Sequence, residues 1–299
     1  MLFTPIKPML LATGKEVKDD TDTIFDIKWD GWRTIIHKEG DRVEAFTREG
    51  NNITSKFPEL IEVGQSIKEH TAIIDAEGVV LRNGISVFED FAYRGSLSNK
   101  DKIEQATKTH PATFIAFDIL AMDDPVMKFP LYERKEMLSS IIKPSNSMIV
   151  TPSVEGYGTH VFQLTKDKNM EGIVGKRRDS VYKINHRSQD WLKYKHFKIA
   201  DTVILGFSEQ PFSLVVGTRL SNGKYKRLAN IEFGFSREEK MAFRQIAKQL
   251  IIKNERNITW IEPVLNCKVQ YLEKTKTGLL RITSFKGFCL EDNMEKQTS

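Results

Sequence analysis

The chain has 299 residues, of which 28% are charged and 40% are hydrophobic, and its formal net charge is +5. That length exceeds what one hydrophobic core usually serves, so it predicts two domains. No segment approaches the roughly 18 apolar residues of a membrane-spanning helix, and the N-terminal region is too polar and too interrupted by proline for a signal peptide. We therefore expect a cytoplasmic protein with no membrane association.

Runs of alternating apolar and polar residues, or of apolar residues alone, predict strands over residues 25–29, 32–36, 42–46, 72–75, 78–81 and 112–120. The turn KEGD makes the second and third of these a hairpin, and the fourth and fifth form another pair. Apolar residues at spacings of three and four predict helices over residues 57–68, 131–142 and 158–169. The mixture indicates an α+β fold with prominent antiparallel sheets.

The pattern changes after residue 197. Short strands are predicted over residues 202–207, 213–217, 225–233, 267–273 and 279–285. One helix begins at Ser236, since Ser236 and Glu239 have the spacing of a capping box. Five short strands and one helix in about 100 residues are typical of a small barrel such as the OB fold. We expect one domain over residues 1–197 and an OB-fold domain over residues 198–299.

The two cysteines, Cys267 and Cys289, form no CxxC pair and have no histidine nearby in the sequence. A structural zinc site is therefore not expected. In a reducing compartment, small buried hydrophobic side chains are a better interpretation than a disulfide.

The stretch FDIKWDGWRTII places Lys28 in a run that otherwise reads as a buried strand. Burial lowers the pKa of a lysine, and a neutral amine is a nucleophile. Arg33 would lower that pKa further, and Gly31 permits a turn that exposes the lysine tip. The alternative is a structural lysine that extends its ammonium to the surface beside a hairpin turn.

Other stretches carry residues suited to phosphate chemistry. TREG supplies Arg48, and IIDAEG places Asp75 and Glu77 on one side of a strand end, where they suit a divalent metal or ribose hydroxyls. MEGIVGKRR places Glu171 before a short strand and Lys176 after it. Residues 176–198 contain eight basic and two acidic residues, a local excess that indicates an anion-binding surface rather than an ordinary solvated face.

The segment DWLKYKH places Lys193 and Lys195 on one strand face and Leu192 and Tyr194 on the other. Two cations on one face, backed by an apolar face, would form a phosphate clamp. Lysines that keep an edge strand soluble would give the same pattern.

Taken together and in order, these motifs resemble those of the ATP-dependent DNA ligases, members of the covalent lysyl-nucleotidyltransferase superfamily. The matching stretches are KWDGWR, TREG, DAEG, FIAFDIL, EGIVGK and WLKYK, and the tail KVQYLEKTKTGLLRITSF is similar to the end of a ligase OB domain. The resemblance covers nearly the whole chain and implies a minimal two-domain enzyme of bacterial or viral type.

The resemblance implies three steps: Lys28 attacks ATP to form lysyl-AMP, AMP passes to the 5′-phosphate of a DNA nick, and the 3′-hydroxyl displaces AMP. Phe117 would stack on adenine, and Lys193 and Lys195 would bind the α-phosphate and depress the pKa of Lys28. The implied nucleotide-binding residues are Asp26, Ile27, Arg33, Arg48, Glu77, Phe117, Lys193 and Lys195. Glu77 and Glu171 would hold ribose or Mg²⁺, with Mn²⁺ as an alternative ion.

The same resemblance implies that nicked duplex DNA is the partner of a monomeric enzyme. The implied DNA-binding residues are Arg48, Lys176, Arg177, Lys274 and Arg281. No additional N-terminal DNA-binding domain is expected, because Lys28 lies near the start. Replication, repair, end joining and a viral genome all stay open as pathways.

Two positions depart from the family pattern. Members usually carry glutamate two residues before the lysine, in contact with the adenine amino group, where this chain has Asp26. In RITSFKGFCLED, Arg281 is retained but Cys289 stands where an arginine is expected. Either Lys286 compensates for that change or self-adenylation is slow.

Alternative functions are an RNA ligase, a capping-type guanylyltransferase, or a non-catalytic nucleic-acid-binding relative. An NAD-dependent ligase is not expected, since its zinc cysteines and nicotinamide-binding extension are missing.

Overall fold

The computed structural model describes residues 2–289, which divide into two compact units at His196 and Phe197. The sequence placed the domain boundary after residue 197, one residue beyond this division. The stretch RITSFKGFCLED runs past the described part, so its residues 290–292 lie outside it. Each unit has its own buried core.

Residues 2–196 of the first unit form twelve strands and five α-helices. The strands are β1 (Leu10–Thr13), β2 (Asp20–Ile27), β3 (Trp32–Glu39), β4 (Arg42–Thr47), β5 (Thr71–Arg82), β6 (Ile85–Ser86), β7 (Ala112–Met122), β8 (Asp124–Pro125), β9 (Met148–Val150), β10 (Ser153–Gly156), β11 (Gly172–Arg177) and β12 (Arg187–Lys195). The helices are α1 (Leu60–Ser66), α2 (Phe88–Ser96), α3 (Lys100–Thr109), α4 (Leu131–Ile141) and α5 (Gly158–Asp167), and a short 3₁₀ helix covers Thr54–Lys56.

These strands form two mainly antiparallel sheets. The first sheet has the order β1-β12-β11-β2-β10, and the second has the order β4-β3-β5-β7-β8. Helices α1, α2 and α4 pack on the second sheet, and α5 packs on the first. The two sheets face each other across a core that includes Ile24 of β2, Ile35 of β3, Ile73 of β5 and Trp191 of β12.

Along each strand, every second side chain faces the space between the sheets, and this inner row changes from apolar to polar residues. On β5, Asp75 and Glu77 follow Ile73 at a spacing of two, whereas Ile74 and Ala76 join the core beneath the helices. The same spacing leads from Ile24 to Asp26 on β2. The space between the sheets is therefore apolar at one end and highly charged at the other.

Two expectations for this unit are wrong. Residues 72–81 form one continuous strand rather than a pair, because β5 pairs with β3 up to Gly78 and with β7 up to Val80, across the expected break. Residues 88–109, for which no element was expected, contain helices α2 and α3.

The described part of the second unit, residues 197–289, contains one helix, α6 (Arg237–Ala247), with the capping box of Ser236 and Glu239 in place. Its strands are β13 (Lys198–Glu209), β14 (Phe212–Arg219), β15 (Tyr225–Ile231), β16 (Ile251–Glu255), β17 (Ile258–Ile261), β18 (Asn266–Tyr271), β19 (Glu273–Lys274), β20 (Leu280–Arg281) and β21 (Ser284–Cys289).

Strand β13 organises the second unit. It pairs with β14 on one edge and, on the other, with β18 along its first half and β17 along its second. This sheet is consistent with an OB-like domain, and the α+β class with antiparallel sheets is confirmed. Within the described residues no helix is long and apolar enough to cross a membrane.

Candidate active site

Lys28 directly follows β2, where the chain leaves the first sheet to enter the second as β3. Its backbone N–H donates to the carbonyl of Gly172 at 2.9 Å, which fixes the start of the loop to β11. Gly31 ends the loop close to β5, since a Cβ atom at this position would lie 2.1 Å from the carbonyl oxygen of Gly78. Glycine is therefore required by the close approach of two backbones.

The Lys28 ammonium lies in an ionic cluster with Glu171. Its Nζ is 2.8 Å from Glu171 Oε2, and Lys195 Nζ is 2.5 Å from Glu171 Oε1. Burial acts to lower the pKa of Lys28, but the charges of Glu171, Glu77 and Asp30 outweigh it, and the pKa is raised. The net depression of this pKa that was expected from Lys193 and Lys195 is not found, because the carboxylate of Glu171 lies 2.8 Å away and acts in the opposite direction.

Glu77 is the second carboxylate at Lys28. It accepts a hydrogen bond from the backbone N–H of Gly31 at 3.2 Å. Burial raises the pKa of Glu77 to about 7, although Lys28 and Arg33 oppose the shift. A carboxyl group that titrates near neutral pH beside an amine is typical of a reactive site.

Asp75 has a different role from the one expected. It does not lie at a strand end beside Glu77 as a free ligand, because β5 continues past it and both of its oxygens are occupied. Arg33 donates to Asp75 through Nε at 2.6 Å and through its terminal nitrogen at 2.5 Å, and the Tyr182 hydroxyl donates at 2.6 Å. Arg33 is thus held in place, and its guanidinium lies 4.8 Å from the centre of the Phe117 ring.

A cleft of about 570 Å³ opens at these charges, a size typical of small-molecule sites. The charged residues that line it are Lys28, Arg33, Arg48, Glu49, Glu77, Arg187, Lys193 and Lys195. The pKa of Lys193 is lowered by burial and by the neighbouring cations Lys195 and Lys28. The structure therefore gathers residues separated by more than a hundred positions into one cationic cleft with two carboxylates.

A smaller recess adjoins the cleft and shares Lys28, Arg33 and Glu77 with it. It is lined by residues including Asp26, Ile27, Phe117, Val174, Lys176 and Trp191. Phe117 is partly exposed there, so its ring is open to the recess rather than enclosed in the core. An aromatic ring beside polar groups in a narrow recess suits a nucleobase.

Lys176 lies in this recess and not on the surface. Its side chain is 3% exposed, its Nζ is 2.7 Å from Asp26 Oδ2, and the rings of Phe117 and Trp191 lie 4.4 and 4.3 Å from it. Burial lowers the pKa of Lys176 to about 8. The prediction that Lys176 contacts DNA is wrong, because a cation enclosed between two rings cannot reach a duplex.

Asp26 is buried with two lysines, one of which the sequence did not indicate. Lys135 of α4 donates to both Asp26 oxygens, at 2.8 and 3.0 Å, from 109 positions away in the sequence. Burial acts to raise the pKa of Asp26, but Lys135 and Lys176 outweigh it and the pKa is lowered. No motif contains Lys135, and sequence periodicity alone gives no signal for this contact.

The remaining predicted DNA-binding residues lie at the surface in different surroundings. Arg48 is exposed at the rim of the cleft, and Lys274 is exposed in the second unit. Arg177 lies 3.7 to 3.9 Å from Asp20, Asp22 and Asp179, and Arg281 pairs with Glu273. Contact of these residues with DNA stays a prediction.

The carboxylates at the cleft suit Mg²⁺ bound together with a nucleotide. Within residues 2–289, no group of three or more His, Cys, Asp or Glu side chains is arranged to hold a metal ion. Glu77 and Glu171 provide two carboxylates, and proteins commonly bind Mg²⁺ through one or two carboxylates with substrate phosphates and water.

Comparison with known proteins agrees with this geometry. Residues 8–195 match the model of the ATP dependent DNA ligase domain. The chain is 32% identical over 284 residues to the SPbeta prophage-derived DNA ligase-like protein LigB of Bacillus subtilis, covering 95% of this chain and 98% of that protein. It is 30% identical to a DNA ligase of Thermococcus onnurineus over 96% of this chain, but spans only 54% of that longer protein.

The fold is also similar to that of a solved structure, mycobacterial DNA ligase D complexed with ATP and MES. The TM-score is 0.58 at 24% identity, over 96% of this chain and 95% of that one.

Proposed function

The chain belongs to the ATP-dependent DNA ligase family, and we propose that Lys28 is the residue that carries AMP during the sealing of nicks in duplex DNA. Nick sealing is the general activity of these ligases. The observation that carries the assignment of Lys28 is its position at the junction of the cleft and the recess, between Glu171 and Glu77.

In the proposed first step, Lys28 Nζ attacks the α-phosphate of ATP and pyrophosphate leaves. The amine must lose a proton before it attacks, and Glu171 Oε2, at 2.8 Å, is placed to accept it. The phosphoramidate formed in this way divides one displacement into two easier ones. AMP would then pass to the 5′-phosphate of the nick, and the 3′-hydroxyl would release it.

Lys193, Lys195 and Arg48 would bind the triphosphate in the cleft. Lys193 and Lys195 share a face of β12, so both ammoniums can contact one phosphate group. Cations held in place where charge develops in the transition state accelerate phosphoryl transfer without further rearrangement. Arg33 would add a further positive charge where the cleft meets the recess. Phe117 and Ile27 would contact the base.

Mg²⁺, with Mn²⁺ as an alternative, would be held by Glu77 and Glu171. A bound ion would neutralise the negative charge of the two carboxylates and of the phosphoryl oxygens.

The first unit would be the adenylation domain and the second the OB-fold domain of a monomeric enzyme. Arg177, Lys274 and Arg281 would contact the phosphates of nicked DNA. Such contacts are independent of sequence and weaken as salt concentration rises.

The test is self-adenylation with labelled ATP and Mg²⁺, followed by a chase with nicked duplex DNA. The Lys28→Ala variant is expected to lose covalent AMP by at least about 10³-fold, because no other residue replaces the nucleophile. Binding to nicked DNA should be largely retained, since Lys28 is one of several cations in the cleft.

Lys108→Ala is the matched control, because Lys108 is an exposed lysine of α3 outside the cleft. Its labelling and sealing should equal those of the unmodified protein. Covalent AMP on Lys28→Ala would show that another residue is the nucleophile, and wild-type labelling by GTP in place of ATP would contradict the ligase assignment.

A further inference from the structure

The Asp26 carboxylate in the recess is surrounded by partners from within the protein. Its Oδ1 accepts from Lys135 Nζ at 2.8 Å and from the Ser153 hydroxyl at 2.7 Å. Its Oδ2 accepts from Lys135 Nζ at 3.0 Å and lies 2.7 Å from Lys176 Nζ. A carboxylate has about four lone-pair sites. Three of them accept these hydrogen bonds, and the Lys176 ammonium lies at ion-pair distance beside Oδ2.

This network is enclosed and internally linked. The exposed fractions of the Asp26, Lys176 and Lys135 side chains are 2%, 3% and 12%. Ser153 is linked to the pair a second time, because Lys135 Nζ also donates to its hydroxyl at 2.9 Å. A base entering the recess would have to break charge-assisted hydrogen bonds, which are stronger than neutral ones, to reach Asp26.

Lys176 has the opposite property. Within residues 2–289 its buried Nζ has no hydrogen-bond partner of good geometry, although it lies in ion-pair distance of Asp26. An ammonium has three donors, so at least two of them remain for a ligand. The recess therefore offers hydrogen-bond donors to a base and no free carboxylate acceptor at Asp26.

We propose that the recess recognises the nucleobase through the Lys176 ammonium and not through Asp26, and that Lys135 is the positioning residue that withholds Asp26 from the base. The ligand class is a purine nucleoside triphosphate with an acceptor nitrogen on the base edge, for which the 6-amino group is dispensable. This inference rests on the proposed function, since it concerns the nucleotide that Lys28 attacks.

The first test compares ATP with purine riboside 5′-triphosphate, which lacks the 6-amino group but keeps the ring nitrogens. Self-nucleotidylation of the wild-type protein is measured as kcat/KM for each nucleotide. The two values should differ by less than about tenfold, because no buried acceptor is left unpaired. A site built around the amino group would instead reject the analogue by about 10⁴-fold or more, and that result would overturn the inference.

The second test uses Lys135→Met, which removes two of the four contacts to Asp26 and keeps a long apolar side chain. The freed oxygens should then accept from the amino group, so a preference for ATP of at least about tenfold should appear. A purely structural role of Lys135 would lower both rates together and leave their ratio unchanged.

Lys143→Met is the control, an exposed lysine just beyond α4. It should retain the wild-type ratio. If Lys135→Met does not fold, the wild-type comparison decides alone. Failure of the wild-type protein to label with either nucleotide would refute the proposed function, whereas labelling by ATP alone would refute only this inference.

Discussion

Buried charges in the first unit occur in two kinds of arrangement. Arg134 and Asp118, both fully buried, form a closed pair in which Nε and a terminal nitrogen donate to the two carboxylate oxygens at 2.8 and 2.9 Å. Around Lys28, by contrast, one carboxylate is shared between two lysines, and the Lys28 side chain is 18% exposed.

The difference lies in whether the charges are satisfied without a ligand. Arg134 also donates to the carbonyls of Phe129 and Ser180, so four of its five N–H donors are used within the protein. The planar guanidinium matches a carboxylate in a fixed geometry, whereas an ammonium can exchange partners. We infer that the closed Arg134–Asp118 pair stabilises the fold. The lysines that share Glu171 can instead exchange this carboxylate for a phosphate group.

The largest expected effect is on a closed pair. Asp118→Asn leaves the Arg134 guanidinium buried without its counter-charge, and breaking such a pair typically costs about 3–5 kcal/mol of stability. The free energy of unfolding should fall by that amount in urea denaturation. The rate of self-adenylation should stay near wild type at low temperature, because Asp118 does not line the cleft or the recess.

Glu209→Gln in the second unit is the matched control, since Glu209 pairs with Arg244 at 2.7 Å in a partly exposed position. Exposed pairs contribute little to stability. Equal effects of Asp118→Asn and Glu209→Gln would show that the buried pair contributes no more to stability than the exposed one.

The next effect concerns Glu171, the shared carboxylate. Glu171→Gln should lower the maximal rate of self-adenylation by about 10²-fold, because a group that orients the nucleophile and holds charge is lost. It should also shift the pH dependence. Glu171 contributes to the raised pKa of Lys28, and the neutral amine is the attacking form, so removing its charge moves the rise in rate to lower pH.

The measurement is the initial rate of lysyl-AMP formation across pH at saturating ATP and Mg²⁺. Glu155→Gln is the control, because Glu155 lies on β10 of the same sheet and pairs with Arg178 at the surface. A profile of Glu171→Gln with the wild-type midpoint would contradict the electrostatic link between Glu171 and Lys28.

Local sequence patterns predicted much of the framework and of the cleft. The strand that ends just before Lys28, the hairpin after it and the face shared by Lys193 and Lys195 all follow from residue alternation and turn residues. Such features depend on neighbours in the sequence, which is why they are readable there. Helices α2 and α3 contain few buried apolar residues: α2 buries the charged Asp90 and Arg94 beside Phe91, and α3 buries only Ile103 and Ala106.

The recess could not be predicted for a different reason. Lys176 belongs to a basic run that also contains the exposed Arg177 and Arg178. The sequence of this run does not show which of its basic residues is buried. Its burial depends on Phe117 and Trp191, and its partner Asp26 depends on Lys135. These contacts join four separate strands and a helix, and no local pattern encodes them.

The smallest effect separates the two lysines of β12. Lys195 is tied to Glu171 at 2.5 Å, whereas within residues 2–289 no carboxylate lies in ion-pair distance of Lys193. Lys193→Ala should therefore raise KM for ATP by about tenfold, as expected for loss of one charged contact to phosphate, and leave kcat less affected. Lys183→Ala, an exposed lysine of the same basic segment, should leave KM unchanged. A fall in kcat with constant KM would instead place Lys193 at the transferring phosphoryl group. The proposed difference between Lys195, which pairs with Glu171, and Lys193, which binds ATP, would then be wrong.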